Sequence, residues 1–220
     1  MHVLVNAAMS ADGKLSTRER RQVTISGDRD FERVDRLRAQ SDAVMVGVGT
    51  VLADDPALTV KDEALVEERE KRGDDPQPAR VVADSHARTP PDAAIMDDDA
   101  ETFVLVGEEE PREHLRALEE AGATLIIAGE ERVNLPSALM ELDSHGIDAL
   151  MVEGGGELIF SLFMDDLVDR LTVYVGPLVI GGRDAPTLAD GDGFTQNFPE
   201  LELEDVKQID EGVLLEYNVP

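Results

Sequence analysis

The chain contains no cysteine among its 220 residues. Disulfides, thiolate metal sites and the cysteine-bearing zinc centre of nucleobase deaminases are therefore excluded. Its four histidines, His2, His86, His114 and His145, are scattered and form no HExxH or similar ligand cluster, so no metal is expected. No run of about eighteen apolar residues is present, and no membrane span is expected. The opening stretch MHVLVNAAMSADGK lacks the basic region, long apolar stretch and small-residue cleavage site of a signal peptide, which makes the cytoplasm the expected location. Lysine is also scarce: Lys14, Lys61, Lys71 and Lys207 are the only four among 20 cations, set against 48 acids. The resulting net charge of −28 repels a phosphate backbone, so nucleic acid is not an expected partner. Salt tolerates such a surface, because the Debye length falls to about 3 Å at 1 M, and a halophile's cytoplasm is the expected setting.

With 42% apolar residues the chain can bury one sizeable core, and a single domain over residues 1–220 is expected. Short apolar runs at His2–Met9, Ala43–Val48, Arg80–Ala83, Thr102–Val106, Thr124–Ala128 and Ala149–Val152 read as strands. Amphipathic helices are predicted near Asp30–Gln40, Pro111–Ala121, Leu135–His145 and Glu157–Leu167. This alternation is that of an α/β fold with a mostly parallel central sheet and flanking helices. After residue 168 the pattern changes to strands without helices, Arg170–Val175, Glu202–Gln208 and Gly212–Val219, and the last two should form an antiparallel hairpin at the sheet edge. The charged stretches Lys61–Pro78 and Pro90–Ala100 read as surface connections, with a helical turn or two possible at Glu63–Arg72. Asp97-Asp98-Asp99 reads as a solvated turn, since no matching set of oxygen ligands surrounds it.

Three segments carry polar residues where strands end. In ALMVEGGGELIFSLFMDDLVD a buried strand runs through Gly154, Gly155 and Gly156 directly into a helix. Glycines let the backbone turn sharply, and the free N–H groups of the helix start attract an anion such as pyrophosphate. Neither the GxGxxG nor the GK[ST] template is met, and a GGG turn alone serves equally as a tight structural connection. Glu153 sharpens the functional reading, because the carboxyl end of a buried strand faces the crevice where α/β sheets bind ligands. In SDAVMVGVGTVLADDPALTV a strand ends in Gly47-Val48-Gly49 and presents Thr50, Asp54 and Asp55 on the following turn. The small residues leave room for a planar ring, and Thr50 with Asp54 offers a donor and acceptor for ring or ribose groups. Asp55 reads as a turn cap. In LVNAAMSADGKL, Asp12-Gly13 is a hairpin signature, while Asn6 and Ser10 project from an otherwise apolar strand. Residues 14 to 38 hold eight cations against five acids, a charge that suits an anionic small ligand as well as ordinary helix-surface pairing.

The segments AMSADGK, RLRAQSDAVMVGVGTVLADDPALTV, RVVADS, LMVEGGGEL, LVDRLTVYVGPLVIGG and APTLADGDGF, in order along nearly the whole chain, resemble the pyrimidine reductases of riboflavin biosynthesis, in their stand-alone archaeal and fungal form. The resemblance implies a dihydrofolate-reductase-like fold, a homodimer, and NADPH as hydride source, with NADH as the alternative. The implied reaction converts the ribosylamino side chain of a diaminopyrimidinone 5′-phosphate to a ribitylamino one; a deaminated pyrimidine and dihydrofolate are the alternative substrates. A non-catalytic nucleotide-binding regulator is the alternative from another class. Carried over by resemblance, the cofactor contacts are Thr50, Asp54, Asp84, Ser85, His86, Gly154, Gly155, Gly156 and Glu157. The substrate contacts are Asn6, Ser10, Asp12, Lys14, Arg38, Leu58, Lys61 and Glu153, with Arg38 and Lys61 for the 5′-phosphate. Ser85, His86 and Arg88 are the natural candidates beside a 2′-phosphate. Bacterial relatives usually carry Arg at the place of Lys61 and often Lys at that of Asn6, so no catalytic proton donor is assigned. They also fuse this domain to a zinc deaminase, which is not expected here.

Overall fold

The computed structural model describes residues 1–220, which divide into two compact units, Met1 with Asp35–Met151, and His2–Val34 with Val152–Pro220. In the first unit the chain forms β2 (Ala43–Gly47), α2 (Val48–Asp54), α3 (Glu63–Arg72), β3 (Ala79–Ala83), a short 3-10 turn (Ala94–Met96), β4 (Thr102–Val106), α4 (Arg112–Glu120), β5 (Thr124–Ile127) and α5 (Leu135–Ser144). In the second it forms β1 (His2–Ser10), α6 (Gly156–Met164), β7 (Arg170–Gly176), β8 (Glu202–Ile209) and β9 (Gly212–Asn218). Two elements span the division: α1 (Asp28–Gln40) and β6 (Ala149–Gly154).

Strands β2, β3, β4 and β5 pair in parallel, with Met45 opposite Val81, Val81 opposite Phe103, and Phe103 opposite Thr124. Parallel strands covered on both faces are apolar throughout, and Ala43, Val44, Met45 and Val46 are all buried. Val44, Val46, Val82, Val104 and Val106 pack with Val48, Val51, Leu58, Ile95 and Leu118 into one core. In the second unit β1 pairs in parallel with β7, and β7 pairs with β9 and β9 with β8 in antiparallel fashion. The expected α/β architecture with a C-terminal hairpin is the one observed, and the strand limits lie within about two residues of the apolar runs.

Three readings need correction, and one left open is settled. Thr50 and Asp54 lie not on a turn but on α2, whose N-cap Gly47 offers no side-chain signal for a helix start. Asp55, by contrast, does close that element, in the left-handed conformation with φ 41°. The helix left open at Glu63–Arg72 does form within Lys61–Pro78, as the ten-residue α3, capped by Asp62, whose carboxylate accepts from Ala64 N at 2.9 Å, and ended by Gly73 at φ 93°. Its Arg69 is buried and donates to the carbonyls of Ala39, Ser41 and Asp75. Pro90–Ala100 is likewise more than a surface link. Buried Arg80 on β3 donates to the carbonyls of Ile95 and Asp97 and to the Asp97 carboxylate at 2.7 Å, so Asp97 compensates an internal charge. Finally, Asp12-Gly13 turns the chain, with Gly13 N donating to Ser10 O, but no second strand follows: a single bridge, Lys14 to Thr187, replaces the hairpin.

Candidate active site

In the first unit the polar residues gather on α2 and the loop beyond it, after β2, and on the loop that follows β3. Asp54 is exposed at the end of α2, and partial desolvation raises its carboxyl above the usual aspartate range. Thr50 is half-buried one turn earlier on the same helix. Leu58 spends its side chain in the core, so its contribution to any ligand is its backbone, held left-handed at φ 54°. Asp55, Leu58 and Ala87 all adopt positive φ without being glycine, and strained backbone of this kind tends to accumulate where ligands are gripped. Arg38, near the end of α1, donates to Thr59 O at 2.8 Å and so orders the loop between Leu58 and Lys61. The backbone of Lys61 is tied by Asp35, whose two oxygens accept from Lys61 N, and the residue itself is exposed.

The loop after β3 is organised by Asp84, which is fully buried. One of its oxygens accepts from both Thr89 N (2.6 Å) and Thr89 Oγ1 (2.7 Å); the other is buried without a hydrogen bond, 3.7 Å from Arg88 Nε. Asp84 thus shapes the loop that carries Ser85, His86 and Arg88. Ser85 Oγ accepts from Val133 N, which leaves its hydroxyl proton to donate. His86 is exposed, with Nδ1 2.9 Å from Glu110 Oε1, and Arg88 is exposed.

In the second unit, Gly155 starts α6 with φ 96° and ψ 96° and provides no side-chain cap. The first N–H groups of that helix therefore lack a side-chain acceptor, the condition for anion binding. Gly156 is glycine for a different reason: a Cβ there would sit 2.5 Å from Thr187 O and 2.6 Å from Asp190 Oδ2. Glu157 is exposed in the first turn, and Glu153 is half-buried on β6.

Three of the expected substrate residues are committed to the protein itself. Ser10 Oγ donates to Asp12 Oδ1 at 2.6 Å and accepts from Lys14 N, while Asp12 accepts from Ile180 N and Gly181 N. These bonds hold the Asp12 carboxyl down at about 2, the Ser10 hydroxyl contributing most. Lys14 Nζ donates to Ala185 O at 3.1 Å. The trio thus fastens the segment 178–187.

Asn6 is placed differently. Its Oδ1 accepts from Arg33 Nη2 at 2.7 Å and from Thr172 Oγ1 at 2.8 Å. Arg33 Nε donates to Asp30 Oδ1 at 2.8 Å, and Asp30 Oδ2 accepts from Ser26 Oγ. Sequence reasoning singled out none of Ser26, Asp30 and Thr172 as site residues. The i, i+3 spacing of Asp30 and Arg33 at the start of a helix was the available signal; the Asn6 to Thr172 contact needed the β1–β7 register.

These features define a class first: an α/β protein whose polar, strained loops follow the carboxyl ends of parallel strands, where such folds bind small ligands. The family model described as the RibD C-terminal domain matches residues 1–215. A 2,5-diamino-6-ribosylamino-4(3H)-pyrimidinone 5′-phosphate reductase of Archaeoglobus fulgidus is 49% identical over 211 residues, covering 96% of this chain and 94% of its own. The reductase of the same name from Methanothermobacter thermautotrophicus is 41% identical over 220 residues, covering 99% and 98%. Among solved structures, a pyrimidine reductase-like protein of Corynebacterium diphtheriae superposes with a TM-score of 0.87 at 19% identity, over 100% of this chain and 92% of that one. The chain belongs to the RibD C-terminal domain family.

Proposed function

We propose that this protein is the NADPH-dependent reductase of 2,5-diamino-6-ribosylamino-4(3H)-pyrimidinone 5′-phosphate, acting in riboflavin biosynthesis. The observation that carries the reading is the match to two archaeal reductases of that name over nearly the whole of each chain. A nicotinamide dinucleotide is the cofactor such a reductase uses, and when bound it would supply the hydride to sugar C1 of the open-chain imine, while one proton goes to the imine nitrogen.

The residues present fit that cofactor. The first turn of α6, uncapped by any side chain, suits a pyrophosphate. The Ser85 hydroxyl, His86 and the exposed Arg88 suit the 2′-phosphate that separates NADPH from NADH. Thr50 and Asp54 offer polar groups for the ring or ribose, and Arg38 and Lys61 suit the substrate's 5′-phosphate. Asp12 and Lys14 serve by holding segment 178–187 in place. The working form is proposed to be a homodimer. No helix is long and apolar enough to cross a membrane.

The test is loss of reduced-cofactor absorbance with purified protein and three substrates in parallel: the diamino compound, its deaminated counterpart and dihydrofolate. Fastest turnover of the diamino compound with NADPH is the expected result. Preferential turnover of either other substrate reassigns the enzyme, and NADPH binding without oxidation of any of them indicates a nucleotide-binding protein instead.

A further inference from the structure

Arg33 belongs to no role described so far, yet it is the centre of a polar chain within the second unit. Its side chain is 13% exposed and that of Asp30 is 1% exposed. Asn6 and Thr172 are buried as well. Ion pairs and amides are costly to bury, and they persist where every member is satisfied. Here the sequence of bonds runs Ser26 Oγ to Asp30 Oδ2, Arg33 Nε to Asp30 Oδ1, Arg33 Nη2 to Asn6 Oδ1, and Thr172 Oγ1 to Asn6 Oδ1. Asp30 is itself fixed from a second side, since its N–H donates to the Asp210 carboxylate at 3.2 Å.

The direction of the Asn6 amide follows from this chemistry. A guanidinium donates and never accepts, so the atom facing Arg33 must be the amide oxygen. Both hydrogen bonds to the Asn6 side chain then fall on Oδ1, and Nδ2 has no protein acceptor. Nδ2 is also not among the side-chain atoms that are both sealed from solvent and unpartnered. A residue 94% buried, on the inner strand β1, thus offers one open group, an N–H2 donor whose orientation is locked from behind.

We propose that Arg33, anchored by Asp30, is a positioning residue: it locks the Asn6 carboxamide with Nδ2 outward, so that Asn6 acts on the pyrimidine substrate as a hydrogen-bond donor. The inference rests on the reductase function proposed above, and it deepens that reading by giving Asn6 a direction and Arg33 a task. A ligand acceptor such as a ring carbonyl or sugar oxygen is the chemistry this donor recognises. A preset donor loses no energy to reorientation on binding, which is the advantage of preorganisation.

The test uses Asn6→Asp, which keeps an acceptor toward Arg33 and Thr172 but removes the outward donor. The variant is expected to melt no lower than wild type, because a carboxylate now faces the guanidinium. Its kcat/KM for the diamino substrate should fall roughly tenfold or more, while the NADPH dissociation constant, measured by fluorescence, stays within about twofold. Arg33→Lys provides the second arm: a single ammonium cannot reach Asp30 and Asn6 as a fork does, so kcat/KM should fall several-fold with NADPH affinity unchanged. Wild-type kinetics in Asn6→Asp, or a parallel loss of NADPH affinity, overturns the donor role. Wild-type kinetics in Arg33→Lys overturns the positioning role. Absence of turnover by the wild-type enzyme overturns the proposed function itself, and is seen before either variant is made.

Discussion

A single side chain separates the two nicotinamide cofactors if Arg88 meets the 2′-phosphate. Its side chain is 54% exposed, with Nε only 3.7 Å from a buried Asp84 oxygen, a loose pairing that a phosphate can displace. Arg88→Ala should raise KM for NADPH about tenfold, in line with a lost charge-assisted bond, and leave KM for NADH nearly unchanged. Steady-state kinetics with both cofactors decide it, and equal effects on the two remove Arg88 from this role. Asp12 makes a second prediction at the same scale. Its folded pKa of about 2 lies below the ordinary 3.8, so its contribution to stability is complete above the ordinary value and is lost as pH falls toward 2. Acid unfolding of wild type and Asp12→Asn should therefore differ at pH 6 and converge near pH 2. A difference that persists undiminished at low pH contradicts the assignment.

Among elements, α3 shows how an unpromising sequence becomes structural. EALVEEREKR has little amphipathic pattern, and its attachment comes instead from Arg69 and, at Ala39 O, also from Arg72. The buried Arg69 donors to the carbonyls of Ala39 and Ser41 tie α3 to the end of α1, while the bond to Asp75 O holds the chain that leaves α3. Arg69→Met should cost about 3 kcal/mol, measured by urea unfolding, because buried carbonyls lose charged donors. A cost below about 0.5 kcal/mol would mean that water replaces the guanidinium freely. The same element shows what a sequence reader sees and does not see. The apolar strands from Ala43 to Ile127 were legible because both faces of a parallel strand are covered. Helix α2 was hidden behind a glycine N-cap, and α3 was legible only as a helical turn or two, because its composition is surface-like and its attachment rests on two long-range residues, Arg69 and Arg72. At the site, Gly155 was read from local chain chemistry alone. Gly156 was read with it, but its constraint by Thr187 and Asp190 was not, and the chain from Ser26 to Thr172 was closed only by strand register.

For the whole molecule the dominant physical fact is the net charge of −28. Repulsion among exposed carboxylates opposes compaction and is screened by salt. Thermal unfolding in KCl should thus rise steadily from about 0.1 M toward 2 M, by more than about 10 °C if the chain is built for a saline cytoplasm. A flat or falling profile would mean an ordinary acidic protein. Screening also weakens any grip on phosphates, so cofactor affinity is expected to decline over the range in which stability climbs, and the best turnover should lie between the two limits.

The packing of Asp190 against the start of α6 has a thermodynamic corollary. Asp190 N donates to Gly156 O at 3.0 Å, and the Asp190 carboxylate accepts from Thr187 N and Oγ1, so opening of this loop removes a wall from the first turn of the helix. A ligand that needs that turn intact must, by reciprocity, hold the loop closed. Protease cutting within residues 183–193 then becomes a titration of the cofactor: the rate should fall with rising NADPH along the same curve that describes binding, which allows occupancy to be read from an intact or nicked chain without any catalysis taking place.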